Sequence, residues 1–497
     1  MSVLLESIPA RAKASPGSWA PNPGRRPGLW LLVYCALLFA YGLNSGPFYR
    51  TEGLRAIVAA EMLRSDDWLV PRLYGEPLLT KPPGHYAAIA LVSLPFGAVS
   101  EWTARLPSAL AATFVVFLIY RWFARVLGEQ AGFVAALLAP MSLMWLDRVP
   151  SAEIDMVQLA WVAASLVCLY RAVEAHEAGR REQLWWLAAL LCVAGGVLTK
   201  WTAPAFFYLT AVPFLWWRGR LRLLVSRPHV VAALAGAALC WLWIVAVILR
   251  VGWEPFVETL RQEALPKLLP GQRDRAAAWY EPIRHPLHLF AENLPWSALA
   301  LLTLRPAFMR LWDGDARRLL QLLHCWTWPN LLFWLLVPNH ATRHTLPLVP
   351  GLMGLAALVV IAWLDGRSRW PIRAVSPRTC LVALVVMWLG IKLFFVLHVI
   401  PERMRGRNAE VNGRLLAEAV PPGQTLYLFR VKDECLLFYY GRPVRRIPEP
   451  LLLPAGPEPV YCIVTEQELA RRDGDAMIVR RLTDSQGASV LLVQVRR

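Results

Sequence analysis

The chain has 497 residues, of which 57% are hydrophobic and 24 are Trp, and its mean hydropathy is +0.41. Apolar runs recur along most of this length, more than the interior of a soluble protein can bury, so the composition excludes a soluble enzyme and predicts a polytopic helical membrane protein. The formal charge of +17 would suggest nucleic acid in a soluble protein, but here Arg residues cluster between apolar runs as topology signals, so nucleic acid is set aside as a partner.

The first 28 residues, rich in Pro, Gly and Arg, read as a basic cytoplasmic tail ahead of an uncleaved anchor. Leu29 to Leu43 is the first span, leaving the following stretch outside. That stretch is polar: Glu52 stands one helical turn before Arg55, and Leu54, Ile57, Val58 and Met62 follow at helical spacing, which predicts a helix lying on a membrane face. Lys81-Pro82-Pro83-Gly84-His85 then makes a stiff, non-helical corner, because Pro fixes φ and disfavours helix in the residue before it.

His85 to Val99 is too short to cross a bilayer, which takes about 20 residues, and reads as a re-entrant or interfacial helix. With that choice the remaining spans alternate with every Arg cluster inside. Leu106 to Tyr120 runs in to Arg121 and Arg125, Gly132 to Leu146 out, and Met156 to Tyr170 in to Arg171, Arg180 and Arg181. Leu184 to Leu198 goes out, Ala203 to Trp217 in to Arg218 and Arg220, and Val230 to Leu249 out. Leu287 to Leu304 returns to Arg305 and Arg310, Leu319 to Val337 exits, Leu346 to Leu364 returns to Arg367 and Arg369, and Leu381 to Ile400 exits. The expected fold is therefore all-α and polytopic, with about 11 transmembrane helices plus the re-entrant helix across residues 29–400.

From residue 401 to 497 the character changes to a small soluble α/β domain, outside by the span count. Thr425 to Arg430, Cys435 to Tyr440, Val460 to Val464 and Val490 to Val495 read as short strands and Asn408 to Ala419 as a helix. Six of the eight Cys fall in apolar runs; Cys435 and Cys462 lie in this domain, where a disulfide between them stays open. No CxxC or paired-His zinc pattern is present.

This register gathers polar residues on the outer face, in loops 44–105, 147–155, 251–286 and 338–345. They are Glu52, Arg55, Lys81 and His85, then Glu153 and Asp155, Lys200, and Asn339, His340, Arg343 and His344. Ionisable residues at a span's edge are costly unless they pair or serve a site, and acids converging with cations suit a phosphorylated substrate and a proton acceptor. Singly each has a plainer account: Asp155 caps a helix, Lys200 snorkels, Arg343 anchors to headgroups.

Seven segments in order, Glu52 to Arg55, GEPLLTKPPGHY, EWTARLPSALAA, SAEIDM, GGVLTKWTAP, ENLPWSALALL and NHATRHTLPLVP, resemble the lipid-linked-sugar glycosyltransferases of the GT-C superfamily. The chain looks most like the branch holding the lipid A aminoarabinose transferase and the protein O-mannosyltransferases. The resemblance implies a polyprenyl-phosphate sugar donor, a lipid, glycan or protein acceptor, and an active site at the outer face of a bacterial inner membrane, with the C-terminal domain periplasmic. Residue by residue it carries over Glu52, Lys81, Asp155, Lys200 and Arg343. Thr51 and Thr80 stand where the family commonly has acids, Trp201 where it has Gly, and His344 where Tyr is frequent.

Transfer from such a donor releases a phosphate monoester, so cations must stabilise developing negative charge; Lys81, Arg343, Lys200 and Arg55 are the candidates. No nucleotide leaves, so no metal is required, although a divalent ion stays open. A hydroxyl acceptor needs a general base, Glu52 or Asp155, with Glu52 favoured for its place beside Arg55. His85, Glu153, His340 and His344 would line the site. Two other readings stay open: a transporter or flippase of lipid-linked sugars, and a non-catalytic relative, which the missing first-loop Asp allows. Reporter fusions after Val99 and after Ile400 should both report the outer side; an even span count, with residue 410 in the cytoplasm, would overturn the site assignment.

Overall fold

The computed structural model describes residues 26–268, 281–337, 341–369, 375–429, 431, 433–447, 453, 459–470 and 476–495. Residues 1–25 of the tail, 269–280 of the large loop, Asn339 and His340 lie outside the described residues.

The elements follow the hydropathy pattern in chain order. Helix α1 (Pro27–Cys35) continues into a π-helical turn (Ala36–Ala40). After α2 (Glu52–Ser65), the hairpin β1 (Arg72–Leu73) and β2 (Glu76–Pro77) leads to α3 (Gly84–Ser93). The bundle then runs through α4 (Glu101–Leu127), α5 (Glu129–Leu138), α6 (Leu143–Arg148), α7 (Asp155–Glu177), α8 (Gln183–Val197), α9 (Ala203–Trp217) and α10 (Arg227–Val251). Next come α11 (Trp253–Leu268), α12 (Glu281–Glu292), α13 (Trp296–Leu302), α14 (Pro306–Met309), α15 (Gly314–Leu336), α16 (Val349–Leu364) and α17 (Pro377–Phe394). Helix α17 widens into a second π-helical turn (Phe395–Val399) and ends in α18 (Ile400–Met404). Among the described residues, five helical stretches are long and apolar enough to cross a membrane: α4, α7, α10, Thr342–Leu364 and the stretch beginning at Pro377.

Prolines interrupt two predicted spans. Gly132 to Leu146 is split between α5 and α6 around Pro140, and Leu287 to Leu304 between α12 and α13 at Pro295, each proline lacking the N–H that an uninterrupted helix needs. Helix α3 and the 3₁₀ turn after it cover only 13 residues before Gly97 takes φ +68°, about 20 Å at 1.5 Å per residue against a hydrocarbon core of about 30 Å. Leu91, Leu94 and Phe96 expose their side chains at its tip, an apolar end suited to dipping into lipid.

The C-terminal unit holds α19 (Ala409–Ala419), β3 (Leu426–Leu428), α20 (Glu434–Tyr440), β4 (Val444–Arg446), β5 (Val460–Thr465), α21 (Glu466–Ala470), β6 (Ala476–Thr483) and β7 (Ser489–Val495). Its five-stranded sheet has the order β4-β3-β5-β7-β6, parallel from β4 through β5 and antiparallel beyond. Cys435 to Tyr440 is helix rather than strand: Asp433 caps it, accepting from the Leu436 N–H at 3.3 Å, and Gly441 closes it in the left-handed region at φ +66°. Cys435 and Cys462 are buried in two different apolar clusters and form no disulfide with each other.

Helix α2 does not offer an apolar face to a membrane. Ala56, Ile57, Val58, Ala59 and Met62 are buried in one cluster with Tyr86 and Ile89 of α3 and Leu436, Leu437 and Tyr440 of α20. The C-terminal unit therefore shares a core with the stretch between α1 and α4. Gly53 makes the approach possible, because a Cβ there would stand 2.5 Å from the Cys435 Cα. Gly53→Ala should cost about 1–3 kcal/mol through overpacking, read as a lower unfolding temperature and faster proteolysis of residues beyond 404; wild-type behaviour would mean that α20 can be displaced freely.

Candidate active site

Polar residues sort to the two ends of the bundle. At one end Glu177 receives Arg218 at 2.6 Å and Arg318 at 2.7 Å, and Glu174 receives Arg125 and Arg171. At the other, α7 begins with Asp155, which pairs with Lys200 Nζ at 2.7 Å just beyond α8. From Asp155 to Glu177 is about 33 Å of helix, close to one hydrocarbon thickness.

The Asp155 end is the candidate site. Ile154, not Asp155, is the N-cap residue of α7, and no side chain caps it there, so the acid serves the ion pair with Lys200. Arg343, on the 3₁₀ segment Thr342–Leu348, donates to Glu153 Oε2 at 2.9 Å, and Arg148 approaches the same oxygen at 3.5 Å. Arg343 and His344 also act electrostatically on Asp155, and Arg55 on Glu153. His344 stacks obliquely on Trp334, with ring centroids 5.9 Å apart. Glu153 is 3% exposed and its Oε1 has no hydrogen-bond partner among the described residues. Burial, and behind it the Asp155 charge, pushes the Glu153 carboxyl above its ordinary range despite the pull of Arg343, Arg148 and Arg55.

The Lys81 corner is tied to this cluster through the backbone. The Gly84 N–H donates to the Leu198 carbonyl at 2.8 Å, two residues before Lys200, and a Cβ at Gly84 would stand 2.7 Å from that oxygen. The Lys81 ammonium itself donates to the Thr80 carbonyl at 3.0 Å. His85 is fully buried, with Nε2 3.1 Å from the Ala152 carbonyl; since that carbonyl can only accept, Nε2 carries the proton. Burial lowers the pKa of this imidazole to about 4, so it is neutral at pH 7. Arg55 donates to the hydroxyl of Tyr86 and lies over its ring at 5.4 Å.

Glu52 has a different place from the one expected of a base. Its Oε1 accepts from Arg105 Nε at 2.8 Å and the Ala152 N–H at 2.8 Å, and its Oε2 from Arg105 Nη2 at 3.0 Å and the Tyr49 N–H at 2.9 Å. Four accepted bonds fill the lone pairs of a carboxylate, leaving none for a substrate proton. Arg105 also donates to the carbonyls of Leu43, Gly46 and Pro47. Arg105, Arg148 and Tyr86 are the residues that sequence reasoning missed as parts of this region. Arg105 carried a signal, an ionisable side chain entering an apolar run inside EWTARLPSALAA. Among the described residues no three His, Cys, Asp or Glu side chains are grouped as metal ligands.

Removing Arg105 leaves Glu52 charged, buried and half-satisfied. Arg105→Ala should lose about 3–5 kcal/mol of stability, measured by thermal unfolding of the purified protein, and Arg105→Lys should restore only part of it, since an ammonium cannot reproduce the bidentate fork. An unchanged unfolding temperature in Arg105→Ala would remove the pair from its structural role.

Comparison with known proteins adds to this geometry. The family model for dolichyl-phosphate-mannose-protein mannosyltransferase matches residues 80–245. An undecaprenyl phosphate-alpha-4-amino-4-deoxy-L-arabinose arabinosyl transferase of Pseudomonas fluorescens is 29% identical over 348 residues, covering 68% of this chain and 57% of that protein. The corresponding transferase of Pseudomonas aeruginosa is 30% identical over 341 residues, covering 65% and 58%. The matched region thus spans less than three fifths of either relative's length. The crystal structure of ArnT from Cupriavidus metallidurans bound to undecaprenyl phosphate superposes with a TM-score of 0.70 at 18% identity, covering 94% of this chain and 97% of that one, which establishes a common fold. In its ordered motifs, its family match over residues 80–245 and its fold, this chain is similar to the lipid A aminoarabinose transferases and protein O-mannosyltransferases of the GT-C superfamily.

Proposed function

We propose that the chain is a membrane glycosyltransferase that moves a sugar from a polyprenyl-phosphate donor to a lipid, glycan or protein acceptor at the outer membrane face. The observation that carries this reading is the buried meeting of Lys200 with Asp155 and of Arg343 with Glu153, beside Arg55 and the Lys81 corner. The acceptor oxygen attacks the anomeric carbon as its bond to the donor phosphate breaks, and the polyprenyl phosphate departs with an added negative charge. Lys81, Arg55, Lys200 and Arg343 stabilise that charge as it develops. Lys200, the most buried of the four, acts beside Asp155, where a fixed cation does more than it would in bulk solvent.

For a hydroxyl acceptor we assign the base to Asp155 rather than Glu52. Asp155 heads a spanning helix with one side-chain partner, Lys200, whereas Glu52 holds four backbone and guanidinium donors in place. Glu52 is then a positioning residue, fixing Ala152 and through it the loop that carries Glu153. Neutral His85 takes part by holding the Ala152 carbonyl, and His344 by packing beside Arg343. The C-terminal unit lies on the outer side, against α2 and α3.

The test is purified full-length protein in proteoliposomes with radiolabelled polyprenyl-phosphate sugars and a membrane-lipid extract. Label should pass from the donor into an acceptor fraction; label that crosses the bilayer with the donor intact would favour a flippase and overturn the proposal. Lys81→Ala and Arg343→Ala should each lower transfer on the order of 10²-fold, as for a lost oxyanion contact. Asp155→Asn should abolish single-turnover transfer while donor affinity is kept, whereas parallel loss of both would make Asp155 structural.

A further inference from the structure

A cavity of about 980 Å³ opens between the first and last apolar segments, away from the Lys200 and Asp155 pair. That is the upper end of the range for small-molecule sites, about 300–1,000 Å³. Its body is apolar, walled by Tyr41, Trp102, Leu106, Val396, Leu397 and Ile400, and its rim carries Asn44, Arg405 and Asn408. Both flanking helices leave α geometry here, in the π-helical turns Ala36–Ala40 and Phe395–Val399. Such turns are rare and often accompany functional sites. The chains around the cavity still touch: a Cβ at Gly42 would stand 2.7 Å from Val396, and one at Gly46 3.0 Å from Ile400. The space is a bounded groove between packed walls.

A smaller cavity shares Ser45, Pro47, Ile400 and Met404 with the first and adds charge to its mouth. Asp147 there receives Arg50 at 2.8 Å, Arg403 at 3.2 Å and Arg148 at 3.4 Å. Arg50 and Arg403 also lie over the ring of Tyr49, at 5.1 Å and 5.2 Å. The other acid lining this space, Glu52, is taken by Arg105. Asp147 thus serves three guanidiniums, sharing only Arg148 with Glu153, and Arg405 adds a fourth at the groove's rim, paired only with the exposed Glu402 among the described residues. Like charges held this close and partly out of water repel unless an anion joins them.

We infer that this groove holds an anionic membrane phospholipid, at a site distinct from that of the sugar donor. Its hydrocarbon chains lie along Leu106, Val396 and Leu397, and its phosphate lies among Arg50, Arg403 and Arg405. Apolar length below and unmatched positive charge above is the complement of such a lipid and of neither a free anion nor a neutral lipid. The site reaches the candidate active site through Arg148, which contacts both Asp147 and Glu153, so occupancy is felt at the acid that Arg343 holds.

The experiment is equilibrium binding of labelled phosphatidylglycerol and phosphatidylcholine to delipidated full-length protein in neutral detergent. Phosphatidylglycerol should bind at least tenfold more tightly, and millimolar inorganic phosphate should not displace it. Arg405→Gln, which touches no buried partner, should weaken binding severalfold, and Leu397→Trp, which fills the groove, should abolish it. Equal affinity for the two lipids, displacement by phosphate, or full binding by both variants would overturn the inference. Lys81→Ala and Arg343→Ala should bind phosphatidylglycerol as the wild type does; loss in either would move the lipid to the donor cluster and overturn it as well. Because this readout needs no sugar transfer, a failed transfer assay leaves it intact.

Discussion

Taking a carboxylate and a guanidinium out of water costs several kcal/mol for each ion, and the fold offsets that cost at Glu52 and Arg105 by giving each a full set of partners. The side chains are 5% and 4% exposed, and the pair draws in backbone from three places: the turn after the first apolar segment, Tyr49 just ahead of α2, and Ala152 in the second loop. Ala152 then accepts from His85 through its carbonyl. Helix α3, the loop bearing Glu153 and Asp155, and the first loop are thereby fixed to one another before any substrate binds. A site that must hold charge in a dry setting depends on such prior ordering, because its groups cannot rely on water to reorganise around them.

The same economy of charge governs the length of the bundle. Helix α7 bears Asp155 at its first residue and Glu177 at its last, and each has cations from other helices gathered around it. Between them lie Met156, Leu159, Val162, Leu166 and Leu169, all buried against neighbouring helices. Charged groups are excluded from the middle because lipid and packed hydrocarbon offer them no partners, and the polar Gln158 and Ser165 there are hydrogen-bonded to Thr202 and the Val162 carbonyl. The ion pairs collect at two levels, and only one of them is open to the loops that hold Lys81 and Arg343.

The C-terminal unit is bound into this arrangement. Tyr439 donates to Glu101 at 2.7 Å and receives the Phe48 N–H at 2.9 Å, while Cys435 and Leu436 pack on α2 through the gap that Gly53 leaves. The helix carrying Glu52 and Arg55 is thus held from behind by residues almost four hundred positions later. Arg55, on the same helix, can then present its guanidinium to Tyr86 in one orientation.

Much of this was legible in the sequence. Hydropathy placed the apolar helices within a few residues, the length of His85 to Val99 marked a short helix, and the motifs named Asp155, Glu153, Lys200, Arg343 and Arg55, which the fold brings into one electrostatic neighbourhood. Those features depend on transfer free energy and local chain stiffness, which each segment carries by itself. Other features waited for the tertiary structure. Glu52 read as the favoured base because its partner is 53 residues away, and Arg105 was given no role. Pro140 and Pro295 broke spans that composition left whole. CLLFYY, uniformly apolar, gave no period to separate strand from helix, although Asp433 and Gly441 were local signs of a capped helix. The chain's own chemistry determined which segments leave water and which residues resist doing so; which charge meets which was decided only when packing set the distances, because the strength of an ion pair depends on separation and burial, and neither is written along the chain.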